Sequence, residues 1–148
     1  MQLRLTTSDE QAAKRFKELQ SVKDVANLLE VEWDHLRYYL YILPDSKAYR
    51  QFEITKSTGG CRIIMAPHPS LKILQQKLNH VLQIVYNIES KPSVHGFVKG
   101  RSILTNAKIH VDRRWVLNLD ITNFFPSINF GRVRGMFMAR PHNIPPSC

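Results

Sequence analysis

The stretch that decides the interpretation of this chain is residues 117–128, Leu117-Asn118-Leu119-Asp120-Ile121-Thr122-Asn123-Phe124-Phe125-Pro126-Ser127-Ile128. Residues 115–119 are mostly apolar, and a short run of this kind predicts a buried strand. Asp120 follows at its carboxyl end, where a charged group can leave the core and face a ligand. The stretch therefore predicts a strand that presents one carboxylate.

Two motifs in a fixed order give this chain a family resemblance. The first is residues 94–107, Val94-His95-Gly96-Phe97-Val98-Lys99-Gly100-Arg101-Ser102-Ile103-Leu104-Thr105-Asn106-Ala107, and the second is the Asp-x-x-x-Phe-Phe pattern at 120–125. The second pattern alone would favour an Asp that caps a turn. Together the motifs resemble those of the reverse transcriptases, and their residues are most similar to those of bacterial retron reverse transcriptases.

The resemblance implies an α+β fold that is the incomplete start of a right-hand polymerase. Residues 1–45 are expected to form an N-terminal helical segment, residues 46–112 the fingers, and residues 113–148 the beginning of the palm. The family's second catalytic motif, Tyr-x-Asp-Asp, has no match, and no Asp or Glu follows Asp120. One carboxylate cannot hold two metal ions, so the isolated chain is expected not to polymerise.

The chemistry implied for the second motif is nucleotidyl transfer with two Mg²⁺ ions, which require oxygen ligands. By resemblance, Asp120 is the catalytic carboxylate and a metal ligand, and the carbonyl of Ile121 is a second ligand. The backbone N–H groups of Asn123 and Phe124 are expected to contact the triphosphate. Phe125 is expected to be the steric gate that selects dNTP, whereas the side chain of Phe124 is assigned to the core.

A hairpin is predicted from an alternating strand at 49–55, a turn at 57–60 and a returning strand at 61–65. In the polymerase interpretation it is the fingers hairpin, and Lys56 and Arg62 bind the triphosphate of an incoming nucleotide. A guanidinium suits phosphate oxygens because it can donate two parallel hydrogen bonds. For Lys56, an ordinary charged hairpin edge explains the residue equally well.

Two further segments supply candidate contacts to nucleic acid. A helix after Ser70 has an apolar stripe for the core, namely Leu71, Leu74, Leu78, Val81, Leu82 and Val85. Lys72 and Lys77 are assigned to its opposite, polar face, where they could follow a template backbone or simply face water. In the glycine/arginine segment, Ser102 is expected to cap a short helix, and the resemblance implies template or primer contacts by Lys99, Arg101 and Asn106.

Three helices are predicted before the hairpin. They cover residues 9–20, residues 22–29 behind a capping box at Ser21, and residues 33–42. The last two have the outline of a helix-turn-helix, which would indicate a small transcription factor. The third helix, however, is aromatic and balanced in charge, whereas base-reading helices usually present Arg, Lys, Asn or Gln. A packing helix is therefore favoured. A helix over 130–137, ending before Pro141, is also predicted.

Composition and charge restrict the class of protein. The chain has 148 residues, 43% of them hydrophobic, and a net charge of +9. Residues 1–60 contain nine Lys/Arg and nine Asp/Glu, whereas residues 61–148 contain twelve Lys/Arg and three Asp/Glu. A basic second part suits a polyphosphate partner. The sequence shows no stretch long enough for a membrane span and no signal peptide, so a cytoplasmic location in a bacterium is expected. It also shows no Cys/His spacing that is typical of a metal site.

The leading hypothesis is an RNA-directed DNA polymerase of retron type. The resemblance implies a structured non-coding RNA that serves as template and primer, an RNA–DNA hybrid as product, and dNTP as substrate. It also implies two Mg²⁺ ions, which this chain ligates only in part, and an effector protein. A role in defence against phage is implied too. The alternative is a non-catalytic RNA-binding module derived from a reverse transcriptase. Unpaired strand backbone at 115–119 would also favour pairing between molecules.

Overall fold

Helices and one small sheet make up the structure, a computed structural model that describes residues 4–57, 59–89 and 91–148. Its elements are helices α1 (Asp9–Lys17), α2 (Val22–Leu28), α3 (Trp33–Arg37) and α4 (Asp45–Ala48), strands β1 (Tyr49–Thr55) and β2 (Cys61–Pro67), and helices α5 (Pro69–Glu89), α6 (Ile103–Lys108), α7 (Phe124–Ser127) and α8 (Phe130–Met138). This mixture confirms the α+β class. None of the described helices is both long and apolar enough to cross a membrane.

The first helices begin where the sequence predicts. The hydroxyl of Ser21 accepts a hydrogen bond from the N–H of Asp24, and the Asp24 carboxylate accepts one from the N–H of Ser21 at 2.8 Å. This is the predicted capping box, which satisfies N–H groups that lack a partner within the helix. The predicted helix over 33–42 is present as α3 followed by a π-helical turn, Tyr38–Ile42.

Helix α5 is the central element of the core. Its buried Val81 and Val85 pack with a cluster contributed by α1, α2 and the residues that follow each of them: Phe16, Leu19, Leu28 and Leu29. A second cluster joins Leu74 of α5 to Ala26 and Leu36. Residues before the hairpin therefore share their core with α5. The predicted apolar stripe of α5 is confirmed except at Leu78, which is exposed.

The hairpin forms as predicted, with a slightly longer second strand. Strands β1 and β2 are antiparallel, in a register that pairs Tyr49 with Pro67 and Thr55 with Cys61. Gly59 and Gly60 have φ angles of +87° and +81°, which glycine adopts without steric cost, while Thr58 of the predicted turn lies outside the described residues. The N–H of His68 donates to the carbonyl of Ala48 at 2.7 Å and closes the base of the hairpin.

The predicted buried strand at 115–119 is wrong. These residues have no regular secondary structure, and Trp115, Leu117 and Leu119 are 83%, 80% and 83% exposed. A strand needs a neighbour that accepts and donates its backbone hydrogen bonds. The described ranges contain only the sheet of β1 and β2. An apolar run without a neighbouring strand therefore remains in water.

The carboxyl-terminal segment returns to the helical core. Phe137 of α8 and Ile144 pack against the cluster around Val81, and the N–H of Ile144 donates to the carbonyl of Phe137 at 2.9 Å. The hydroxyl of Ser147 donates to the carbonyl of Gln20 at 2.7 Å. Helix α8, which was predicted, is thereby held on the core, whereas residues 113–127 lie on the surface.

Candidate functional site

Asp120 is an exposed carboxylate that leads directly into a tight turn. Within the described part of the chain it makes no hydrogen bond and no ion pair. The apolar run before it and the turn after it are exposed as well. The side chain is therefore accessible to an external ligand.

The turn after Asp120 is closed by backbone hydrogen bonds. The N–H of Phe124 donates to the carbonyl of Ile121 at 3.3 Å, and the N–H of Ser127 donates to the carbonyl of Asn123 at 3.0 Å. Asn123 has a φ of +53°, in the left-handed region that Asn tolerates better than most residues. Of the two N–H groups predicted to contact a triphosphate, that of Phe124 is thus already used within the turn.

Phe124 and Phe125 lie side by side on the surface. Their ring centroids are 5.3 Å apart with an interplanar angle of 70°, and the side chains are 46% and 69% exposed. The assignment of the Phe124 side chain to the core is therefore wrong. It assumed extended backbone, in which neighbouring side chains point to opposite sides, but both residues belong to the helical turn α7. Phe125 is open to solvent.

Oxygen donors for a metal ion are few in this region. Asp120 offers a carboxylate, and the Ile121 carbonyl has a second lone pair free beyond its bond to Phe124. Mg²⁺ takes about six ligands in octahedral geometry. Among the described residues, no group of three or more His, Cys, Asp or Glu side chains is placed so that it could hold a metal ion. The described residues therefore supply one carboxylate and one carbonyl here, an incomplete donor set for two Mg²⁺ ions.

The two cations predicted at the hairpin tip are exposed. Lys56 follows β1 directly, and its N–H donates to the carbonyl of Gly60 at 3.0 Å, while Arg62 lies opposite Ile54 in the register. In the described ranges no hydrogen bond or ion pair joins either side chain to residues 120–125. The structure thus presents these cations on the hairpin without bringing them into contact with the carboxylate.

Lys77 lies in the core and not on the polar face of α5 to which the sequence analysis assigned it. Its side chain is 2% exposed, and the ammonium donates to the carbonyls of Leu29 and Glu30 at 2.8 and 3.1 Å. Burial lowers the pKa of Lys77, an effect that the nearby Glu30 carboxylate partly opposes. The spacing of Leu74, Lys77 and Val81 by three and four residues places all three on one face. Lys72 is exposed, as predicted.

The glycine/arginine segment is organised by its own polar side chains. The Arg101 guanidinium donates to the carbonyl of Lys91 at 2.6 Å and also to the carbonyl of Val94. Ser102 caps α6 as predicted, and Thr105 completes the capping box. Arg101 therefore folds this loop back on itself, whereas Lys99 and Asn106 are exposed and available for contact with a partner.

Two polar features of the described residues, one at His95 and one at Glu30, were not indicated by any sequence motif. Nδ1 of His95 lies 2.9 Å from the Thr105 hydroxyl oxygen, and its buried Nε2 has no partner among the described residues. The Glu30 carboxylate accepts hydrogen bonds from the N–H groups of Thr6 and Thr7 and from the Thr7 hydroxyl. Burial alone would raise the pKa of Glu30, but these hydrogen bonds outweigh it and lower the pKa to about 2.

The fold and this surface define a mixed α+β protein with a free carboxylate, an aromatic turn and exposed cations. Comparison with known proteins specifies the class further. The chain is 42% identical over 125 residues to the retron Mx65 reverse transcriptase of Myxococcus xanthus, a match that covers 83% of this chain and 29% of that protein. It is 34% identical over 126 residues to the retron Mx162 reverse transcriptase of the same species, covering 84% and 26%.

A relative from Escherichia coli, the retron Ec86 reverse transcriptase, is 29% identical over 127 residues, covering 84% of this chain and 38% of that protein. These matches confirm the resemblance predicted from the two motifs: the chain is related to the retron-type reverse transcriptases. It spans 26% to 38% of the length of these three relatives. No family model and no solved structure matches the chain.

Proposed function

We propose that this chain is the N-terminal part of a retron-type RNA-directed DNA polymerase. Residues 1–45 form its helical lead-in, residues 46–112 its fingers and residues 113–148 the beginning of its palm. The observation that supports this most directly is the exposed Asp120, free of partners among the described residues, in a sequence that is 42% identical over 125 residues to a retron reverse transcriptase.

In this proposal the residues around Asp120 act on an incoming dNTP. Asp120 and the Ile121 carbonyl are two of the oxygen ligands that would hold Mg²⁺, which supplies charge neutralisation at the primer hydroxyl and the triphosphate when bound. The N–H of Asn123 contacts the triphosphate, and the open ring of Phe125 excludes a ribose 2′-hydroxyl. Because the donor set is incomplete, the 148-residue chain alone does not polymerise.

Lys56 and Arg62 on the hairpin are exposed and are the proposed contacts to the triphosphate of an incoming nucleotide. The proposed nucleic-acid surface consists of the exposed cations Lys72 on α5 and Lys99 in the glycine/arginine segment, together with the exposed amide of Asn106. Contacts from such cations to phosphates release counterions and hold a strand without reading its sequence. The proposed partners are a structured non-coding RNA and its RNA–DNA hybrid product. We also propose a cytoplasmic role in bacterial defence together with an effector protein, as the resemblance to retron enzymes implies.

A non-catalytic RNA-binding module is the second candidate. The incomplete donor set at Asp120 favours it, because a protein that only binds RNA needs the exposed cations and no metal. Both candidates predict RNA binding that weakens steeply with salt. Only the polymerase requires the carboxylate of Asp120, so this residue separates the two.

The experiment begins by reading the source gene in frame beyond the codon for Cys148 and expressing the product. Primer extension with Mg²⁺, dNTP and an RNA template is then compared for that product and for the 148-residue chain. If the gene continues to a Tyr-x-Asp-Asp, we expect extension by the long product only. Asp120→Asn should lower the rate roughly a hundredfold or more, because a metal ligand is lost.

Asp112→Asn is the matched control, since it removes an exposed carboxylate of the same part of the chain and should leave extension unchanged. Unchanged extension by the Asp120→Asn product would refute the role of Asp120. Incorporation by the 148-residue chain that depends on Asp120 would refute its predicted inactivity. A stop codon directly after Cys148, together with RNA binding but no extension, would replace the polymerase by the RNA-binding module.

A further inference from the structure

Three aromatic rings and a lysine form a continuous strip from α3 to the start of α5. The rings of His35 and Tyr39 are stacked, with centroids 5.3 Å apart and an interplanar angle of 24°, and the ring centroid of Tyr39 lies 6.2 Å from that of His68. The N–H of Lys72 donates to the carbonyl of His68 at 2.8 Å, so these two residues lie one helical turn apart on the same face. His35, Tyr39, His68 and Lys72 make up the aromatic strip.

The fold holds the aromatic strip in place while leaving its ends accessible. Tyr39 is partly buried and packs against the core cluster that α2, α3 and α5 share, whereas His35, His68 and Lys72 are exposed. Tyr39 also belongs to the π-helical turn Tyr38–Ile42, a rare element that is frequent at functional sites. Every contact that builds the strip joins residues between 35 and 72, so its geometry does not depend on the chain beyond residue 148.

We propose that the aromatic strip binds unpaired bases of an RNA strand, an inference that rests on the proposed function and specifies the kind of RNA segment that is bound. Single-stranded RNA is held by proteins through bases that stack on aromatic side chains, including histidine, and through cations that contact the phosphates. The strip supplies both groups. It contains the cation Lys72 and no carboxylate, so its charge is complementary to that of an RNA strand.

Stacking determines which part of a structured RNA can occupy the strip. The bases of a duplex are already stacked on one another, so their faces are not available to protein rings, whereas those of loops and ends are. Every base has an aromatic face, and the strip therefore holds an unpaired segment without selecting its sequence. This gives the N-terminal helical segment a direct part in RNA binding, at a place separate from Asp120, whose carboxylate stays open.

Titration of the source gene's product with a short single-stranded RNA, followed by fluorescence anisotropy, tests the strip. His35→Ala/His68→Ala should lower the affinity roughly tenfold, because stacking on an aromatic side chain contributes a comparable factor for each base. The salt dependence should stay the same, since no phosphate contact is lost, whereas Lys72→Ala should make it weaker. His35→Phe/His68→Phe keeps both aromatic rings and should keep the affinity. None of the ring variants should change the affinity for a duplex of the same sequence.

His80→Ala is the matched control, because it removes an exposed histidine from α5 whose Nε2 lies 3.7 Å from Oδ1 of Asp9, and it should bind RNA like the parent protein. Circular dichroism verifies that each variant is folded. Unchanged affinity of His35→Ala/His68→Ala for single-stranded RNA would overturn the proposal, as would an equal loss for the duplex.

Two further measurements separate this inference from the proposed function. Primer extension at saturating RNA should survive His35→Ala/His68→Ala, so retained extension together with unchanged RNA affinity would refute the aromatic strip and leave the polymerase intact. A parent protein that binds no RNA would refute both. The loss of affinity is expected in the 148-residue chain and in any longer gene product. A loss confined to the 148-residue chain would overturn the proposal, because the strip would then be covered in the longer protein.

Discussion

Helix α5 and the segment 115–119 are both rich in apolar residues, yet the structure treats them in opposite ways. Val81 and Val85 of α5 are 0% and 2% exposed, because α1 and α2 present apolar surfaces to them. Trp115, Leu117 and Leu119 have no such surface within the described residues. An apolar sequence pattern therefore leads to buried side chains only where another part of the chain packs an apolar surface against them.

The largest expected effect comes from removing a large side chain from the core cluster around α5, compared with the same change in the exposed turn after residues 115–119. Phe16→Ala should lower the free energy of unfolding by about 3–5 kcal/mol, because Phe16 is a buried member of the main cluster. Phe125→Ala, the same change at an exposed ring, should alter it by less than about 0.5 kcal/mol. Urea unfolding followed by circular dichroism measures both. A comparable loss for Phe125→Ala would show that its segment is packed in solution.

The next largest effect separates two lysines on the same helix. Lys77→Ala should cost about 2–3 kcal/mol, because it removes a buried stem and leaves the carbonyls of Leu29 and Glu30 without their donor. Lys72→Ala should change stability by less than about 0.5 kcal/mol while it weakens RNA binding. Thermal unfolding and fluorescence anisotropy with a structured RNA measure the two properties. If Lys77→Ala kept full stability and lost RNA affinity, the core role of Lys77 would be wrong.

The smallest of the three effects concerns the anchoring of Thr6 and Thr7 by Glu30. The pKa of Glu30 falls from 4.5 to about 2 on folding, so its contribution is complete above 4.5 and is lost as pH falls toward 2. Because the group is close to solvent, we expect Glu30→Gln to cost only about 1 kcal/mol at neutral pH and nothing near pH 2. Unfolding from pH 7 to 2 measures this.

Glu32→Gln is the control, since Glu32 is an exposed neighbour on the same turn of the chain. Its stability should follow that of the parent chain at every pH. A difference between Glu30→Gln and the parent that persists unchanged to pH 2 would contradict the assignment of this linkage to the Glu30 carboxylate.

Local elements were predictable because their determinants lie within a few residues of one another. The capping boxes at Ser21 and Ser102 involve residues three positions apart, and the hairpin depends on a turn with two glycines. The helices that contain Val81 and Phe137 follow from apolar spacing. Asp120 and Phe125 are exposed, but the predicted reason for the exposure of Asp120, its place at the end of a buried strand, is wrong.

Other features depend on residues far apart along the chain. Glu30 binds Thr6 and Thr7 across more than twenty positions, and Lys77 meets Leu29 and Glu30 across more than forty. A polar side chain in an otherwise apolar stripe can be buried only if such acceptors are present. The predicted position of Lys77 was therefore wrong, whereas that of Phe124 was wrong for a local reason, because Phe124 lies in the helical turn α7 and not in extended backbone.

The amino-acid sequence alone predicts the relation to retron reverse transcriptases, helices α1, α2, α3, α5, α6 and α8, the hairpin, and the single carboxylate before Phe124 and Phe125. Tertiary structure alone decided that Lys77 is a core residue, that Arg101 folds its own loop, and that residues 115–119 remain exposed. The reason is the separation of the interacting residues along the sequence. Helix caps, turns and apolar periodicity depend on residues a few positions apart, whereas burial of a side chain requires a complementary surface from a distant part of the chain.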